Sequence, residues 1–231
     1  MKKPTLPVLL QPDEISWGIR YLLFSLVFLG SFLSLTVSLL FPGVQNIHII
    51  LTYYAVNFLA VLWIFRRFLF QSLQYTFVHP CKLLIGSLIG LAAYFTLTQL
   101  VTAGFLMIVP EFSNVNDARI LEDIRRYPLL TTLGTVLLVP LAEETLHRGL
   151  IFGYIHRKNR GLAYILSIIA FCSIHVTGYI GSYPPRILLL CWLQYIPAGL
   201  SLAWAYEFSG SILTPFLMHT LINTIATLQM R

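Results

Sequence analysis

Glu143, Glu144, His147 and Arg148 fall within six residues of one another, in the stretch Leu141-Ala142-Glu143-Glu144-Thr145-Leu146-His147-Arg148-Gly149-Leu150. The surrounding segment, Pro128 to Ile155, is otherwise apolar and long enough to cross a bilayer. A charge at mid-membrane costs roughly 2.5–3.5 kcal/mol, so the cluster costs on the order of 10 kcal/mol before any pairing. On a helix, residues four apart share a face, which puts Glu144 before Arg148 in the favourable acid-then-base order. Glu143 is rotated about 100° away, with His147 as its neighbour one turn on. Glu144 therefore has a structural partner, while Glu143 has no dedicated cation and is the natural general base. Pro140 disturbs the helix just ahead of the pair and lets a side chain or a water approach.

Two further apolar segments carry isolated polar groups, His175 in Phe171-Cys172-Ser173-Ile174-His175 and the i,i+4 pair His219 and Asn223. A rise of 1.5 Å per residue from the shared loop at 156–161 puts Glu143 and His175 about 18–20 Å deep. Entering from the same side, the last segment places His219 at about 13 Å and Asn223 at about 20 Å. The four groups are expected in one layer. Glu143, His175 and His219 also make a one-carboxylate, two-histidine zinc set with an open position.

The elements that must position these groups follow from composition. The chain is 57% hydrophobic and 10% charged, with a mean hydropathy of +0.78, which describes a polytopic membrane protein. The apolar runs lack period-two alternation, which excludes a barrel. The fold class is all-α, a transmembrane helical bundle of about seven spans, near 17–41, 48–70, 83–109, 128–155, 162–181, 186–206 and 210–229. The second is expected to continue as an amphipathic segment to Tyr75, and the 110–127 loop to form an interfacial helix. The whole chain, 1–231, reads as one integral-membrane domain, with residues 128–229 as its catalytic core. Gly86-x-x-x-Gly90 and Gly149-x-x-x-Gly153 predict close internal helix packing.

The net charge of +6 lies in short loops, a topology signal and not a nucleic-acid surface. The amino terminus, the 66–82 region and the 156–161 loop carry nine Lys and Arg, against five on the other side. The amino terminus is therefore expected inside, the plasma membrane is the expected site, and Met1-Lys2-Lys3 begins an uncleaved anchor. Cys81, Cys172 and Cys191 lack metal spacing and read as packing residues. Asn57, Gln99 and Gln194 read as interhelical hydrogen-bonders, and His48, His79 and His156 as interfacial.

Glu143-Glu144-x-x-x-Arg148, Phe171-x-x-x-His175 and His219-x-x-x-Asn223, in this order, resemble the CPBP family (CAAX protease and bacteriocin-processing, or Abi), which includes the type II CAAX prenyl endopeptidases. The resemblance covers roughly residues 128–229. Its core is often drawn with eight helices, against seven counted here. It implies that Glu143 activates a water, that His175 positions it, that His219 and Asn223 stabilise the oxyanion, and that Glu144 and Arg148 support the site. Family members have been described as metalloproteases, yet the resemblance favours a metal-free glutamate mechanism with no cofactor; the residues permit both. The implied partners are the lipid bilayer and a membrane-associated peptide or prenylated protein, cut within a C-terminal C-a-a-X or during bacteriocin processing. Other intramembrane proteases fit less well, since there is no HExxH, no Asp inside a predicted span and no Gly-x-Ser-Gly. The alternatives are a non-proteolytic scaffold or bacteriocin-immunity protein of the same fold, and, more remotely, a proton pathway through Glu143 and the histidines.

Overall fold

The computed structural model describes residues 6–230; Lys2, Lys3 and Arg231, used above for topology, lie outside the described residues. The described chain is a helical bundle with no strands. Its helices are α1 (Pro12–Leu40), α2 (Asn46–Ile64), α3 (Arg66–Val78), α4 (Pro80–Ile108), α5 (Val115–Arg126), α6 (Pro128–His156), α7 (Arg160–Tyr179), α8 (Pro185–Ser209) and α9 (Leu213–Gln229). Six of them, all but α3, α5 and α9, are long and apolar enough to cross a membrane. The predicted seventh span is α9, whose 17 residues cover about 25 Å, short of a hydrocarbon core of about 30 Å. Leu26, Phe28, Leu39, Trp63 and Leu88 are each at least 60% exposed, the apolar surface that lipid covers in an integral membrane protein.

The predicted second span stops at Ile64, and the backbone turns at Phe65 before the amphipathic α3 begins. The carboxylate of Glu14 sets this corner. It is buried, accepts the Phe68 N–H at 3.0 Å in the first turn of α3, and accepts the Gln11 N–H at 3.0 Å. An acid at a helix N-terminus satisfies amides that have no partner within the helix. Arg67 pairs with Asp13 at 3.2 Å, and Arg157 donates to the Leu10 carbonyl at 3.1 Å. The described parts of the three basic regions thus meet at one end of the bundle.

Both glycine pairs serve internal packing. A Cβ on Gly86 would come within 3.1 Å of Thr214, and one on Gly90 within 2.6 Å of Met218, so α4 lies directly on α9. Gly149 faces Phe68, and Gly153 the Tyr206 hydroxyl. A helix does form within 110–127, α5, capped by Asn114, whose side chain accepts from the Asn116 and Asp117 amides.

His156, at the end of α6, is enclosed by the protein. It is buried, with Nε2 2.8 Å from Glu207 Oε1. The same carboxylate takes Arg160 at 2.6 Å and Tyr164 at 2.6 Å, joining the start of α7 to the end of α8. His48 is exposed and His79 half-buried, stacked on Tyr75. Asn57 bonds Tyr21, and Gln194 bonds Asn114 and Thr102, as interhelical hydrogen-bonders do.

Candidate active site

Helix α6 positions the acid pair, and it is not a regular α-helix. Two π-helical segments, Gly134–Leu138 and Thr145–Phe152, bracket the turn Val139–Glu144. Such widened turns recur at functional sites because they displace side chains from the α-helical ladder. The first has an identifiable cause. The Val139 N–H reaches back to Gly134 O, and Pro140 has no N–H to give. The Thr135 carbonyl is left without a helical donor, and Asn223 Nδ2 on α9 supplies one at 2.8 Å. Opposite this widening, α2 comes so close to Gly134 that a Cβ there would lie 2.9 Å from the Tyr54 ring.

The second widening begins one residue after Glu144. Across it the expected ion pair forms, Arg148 Nη1 to Glu144 Oε1 at 3.0 Å, with both side chains fully buried. Arg148 also donates to the Gly199 carbonyl at 3.2 Å and lies 4.3 Å over the Phe171 ring. The pair has a third member, because His219 Nδ1 donates to the same Glu144 oxygen at 2.8 Å. Glu144 thereby ties α9 to α6. His147 does not bond the Glu143 carboxylate; its Nδ1 lies 2.7 Å from the Glu143 backbone carbonyl.

His175 sits just past the regular α-helical part of α7, Arg160–Ile174. Its Nδ1 takes up the Phe171 carbonyl at 2.8 Å, an acceptor of the last turn. A carbonyl or carboxylate only accepts, so the Nδ1 of all three histidines carries hydrogen. In each neutral ring Nε2 is then the lone-pair nitrogen.

Glu143, His147, His175, His219 and Asn223 all line one cavity of about 790 Å³, within the range of ligand sites. Glu144 and Arg148 lie behind its wall. Glu143 is half-buried, and its Oε2 is enclosed with no hydrogen-bond partner in the protein. The four groups expected in one layer thus line one cavity. Among the described residues no three His, Cys, Asp or Glu side chains are grouped to hold a metal ion, so Glu143, His175 and His219 do not meet as a ligand set.

The family model described as Rce1-like, type II CAAX prenyl endopeptidase Rce1-like, matches residues 125–225. The match takes in the carboxyl-terminal part of the chain, which is similar to this family. No curated protein and no solved structure matches it. The family, a protease family, covers α6 to α9, and every site residue predicted from the sequence lies within the matched stretch. The cavity extends beyond it. Tyr53 and Tyr54 on α2, Leu22 on α1, and Asn116 and Asp117 on α5 also form its wall.

Several contributors have no independent signal in the sequence. Phe171 is the hub of the site, with ring centres 4.7 Å from His175, 5.7 Å from His147 and 6.0 Å from His219. Its i,i+4 spacing to His175 is the only trace. Tyr195 stacks on His175 at 4.1 Å where α8 breaks ahead of Pro197. Its hydroxyl donates to Asp117 Oδ1 at 3.1 Å and accepts from Asn116 Nδ2 at 3.0 Å. Burial raises the Asp117 carboxyl above its ordinary range, and the Tyr195 hydrogen bond opposes that shift. Ser173 is occupied by Trp192, whose Nε1 donates to it at 3.1 Å.

Proposed function

We propose that this protein is an intramembrane endopeptidase in which Glu143 activates water without a metal. The observation that carries the reading is the contrast between the two acids. Glu144 is held through Oε1 by Arg148 and His219 and lies off the cavity lining, whereas Glu143 lines the cavity beside three imidazoles with no cation bonded to it.

In this mechanism a water between Glu143 and His175 loses a proton to the Glu143 carboxylate, and the hydroxide adds to a peptide carbonyl carbon. His175 Nε2 accepts a hydrogen bond and orients the water. The carbonyl oxygen takes up the negative charge, and His219 and the second N–H of Asn223 are the donors for it. To donate from Nε2 while Nδ1 bonds Glu144, His219 must hold two protons, and the Glu144 carboxylate at 2.8 Å is the counter-charge. Glu143 then gives its proton to the leaving amine as the C–N bond breaks. Residues 128–229 form the catalytic core, and α1, α2 and α5 complete the walls around the substrate. The substrate class is a membrane-associated peptide or a prenylated C-a-a-X protein, cut near the cytosolic face with the amino terminus inside.

The test compares wild type with Glu143→Ala and His219→Ala in nanodiscs, using prenylated and unprenylated peptides, with and without a chelator. Cleavage lost in both variants and unchanged by chelation supports the reading. Full activity in Glu143→Ala sinks it, and a chelator loss restored by zinc alone sinks the metal-free mechanism.

A further inference from the structure

We propose that Tyr195 is a positioning residue for His175, and that helix α5, by holding the Tyr195 hydroxyl, sets the plane of that imidazole. This rests on the role given to His175 above and adds the element that controls it.

His175 needs such support. It lies beyond the last regular turn of α7, where the backbone has left the helical ladder and continues as a short turn to Thr177. Its own element contributes a single hydrogen bond, from Nδ1 to the Phe171 carbonyl, and that bond leaves the ring free to rock about it. Two aromatic rings remove this freedom. Phe171 lies at 4.7 Å, tilted by 56°, and Tyr195 lies nearly parallel at 4.1 Å and 29°. An offset parallel stack resists rotation of either ring out of the shared plane.

Tyr195 is in turn fixed from outside the catalytic core. It stands at the break in α8, so the helix alone does not hold it. Its hydroxyl bonds Asp117 and Asn116 in the first turn of α5. The Tyr179 hydroxyl donates to Asn116 Oδ1 at 3.3 Å, and Asn114, the cap of α5, bonds Gln194, the residue before Tyr195. Val115 packs with Val176, the residue after His175, and with Cys191. Helix α5 therefore grips both residues of the stack, through the Tyr195 hydroxyl and through the chain beside His175. The same helix contributes Asn116, Asp117, Ile120 and Asp123 to the cavity wall.

Two variants separate the parts of the device. Tyr195→Leu removes the stack and the hydroxyl; Tyr195→Phe removes the hydroxyl alone. The first readout is the rate at which diethyl pyrocarbonate acylates His175 in the full chain in nanodiscs, followed by mass spectrometry, with exposed His48 as the internal reference. Tyr195→Leu is expected to raise it roughly two- to tenfold, the weight of one aromatic stack, and Tyr195→Phe to raise it less. The second is amide exchange of α5, expected to be at least about fivefold faster in Tyr195→Phe, which removes both hydrogen bonds of the hydroxyl to that helix. The third is cleavage kinetics: Tyr195→Leu is expected to lower kcat about tenfold with KM within about twofold, and Tyr195→Phe to recover part of the loss.

Unchanged His175 labelling in Tyr195→Leu overturns the proposal, as does unchanged α5 exchange in Tyr195→Phe. Should Tyr195→Leu fail to fold, Tyr195→Phe decides through labelling and exchange together. Labelling and exchange do not require cleavage. A wild type that cuts no peptide therefore counts against the protease reading, while the role of Tyr195 is still decided by the first two measurements.

Discussion

Replacing Glu144 with alanine is expected to destabilise the bundle, whereas the same change at Glu143 is expected to leave it intact. Glu144 Oε1 accepts from Arg148 at 3.0 Å and from His219 at 2.8 Å, and both members of the Glu144–Arg148 pair are fully buried. Without the carboxylate, Arg148 keeps the Gly199 carbonyl at 3.2 Å and the face of Phe171, neither of which carries negative charge. Breaking a buried pair by removing one partner costs about 3–5 kcal/mol, because the remaining charge is uncompensated. In a chain of this size each kcal/mol moves the melting temperature by about 2–4 °C, so the expected drop is roughly 6–20 °C. Glu143 has no intrahelical cation and one oxygen without a partner, so Glu143→Ala should melt within about 3 °C of wild type. The buried thiols of Cys172 and Cys191 report unfolding in detergent when a thiol-reactive fluorophore reaches them, and exposed Cys81 sets the baseline. Equal shifts in the two variants, or a Glu144→Ala protein melting with wild type, would refute the division of labour. The double variant Glu144→Met/Arg148→Met should recover part of the loss, since it removes the stranded charge.

Asn223→Ala leaves the Thr135 carbonyl without a donor and should cost about 1–3 kcal/mol by the same melting assay. Pro140→Ala restores an N–H near that carbonyl, so the double variant should lose less than the sum of the singles; strict additivity would count against the account of the widened turn. Asp117 has a folded-state pKa above its unfolded value, so its stabilising contribution is present below the unfolded pKa and lost as pH rises through the folded one. Asp117→Asn should therefore match wild type near pH 3 and gain on it as pH rises above about 4. A difference that is flat with pH would show that Asp117 does not titrate between the two states.

Much of the architecture is legible in the chain because bilayer crossing is a property of local sequence. Apolar runs of the right length, bounded by Arg66, Arg67, Lys82 and the 156–161 loop, locate the helices within a few residues. The Glu144–Arg148 pair is equally local, since two residues four apart meet whatever surrounds them. The break at Phe65 is harder to see: the hydropathy passes smoothly from α2 towards α3, and the corner is made by Glu14, 54 residues away from the amide that it accepts. The position of His156 at a span end is legible, but its partner Glu207, on another helix, is not.

The site divides in the same way. By itself the sequence determined which apolar helices carry the polar groups and that Glu143 lacks an intrahelical cation, and it led to the expectation of one layer for Glu143, His175, His219 and Asn223, which line one cavity. These follow from rise per residue and helical periodicity, and neither needs to know which helices are neighbours. Only the tertiary structure decided that His219 belongs to Glu144, that Asn223 serves a carbonyl freed by Pro140, and that Tyr195 and α5 hold His175. Each of those contacts joins segments far apart in sequence across a helix interface, and a helix's own sequence shows which residues it must shelter from lipid without naming the neighbour that shelters them.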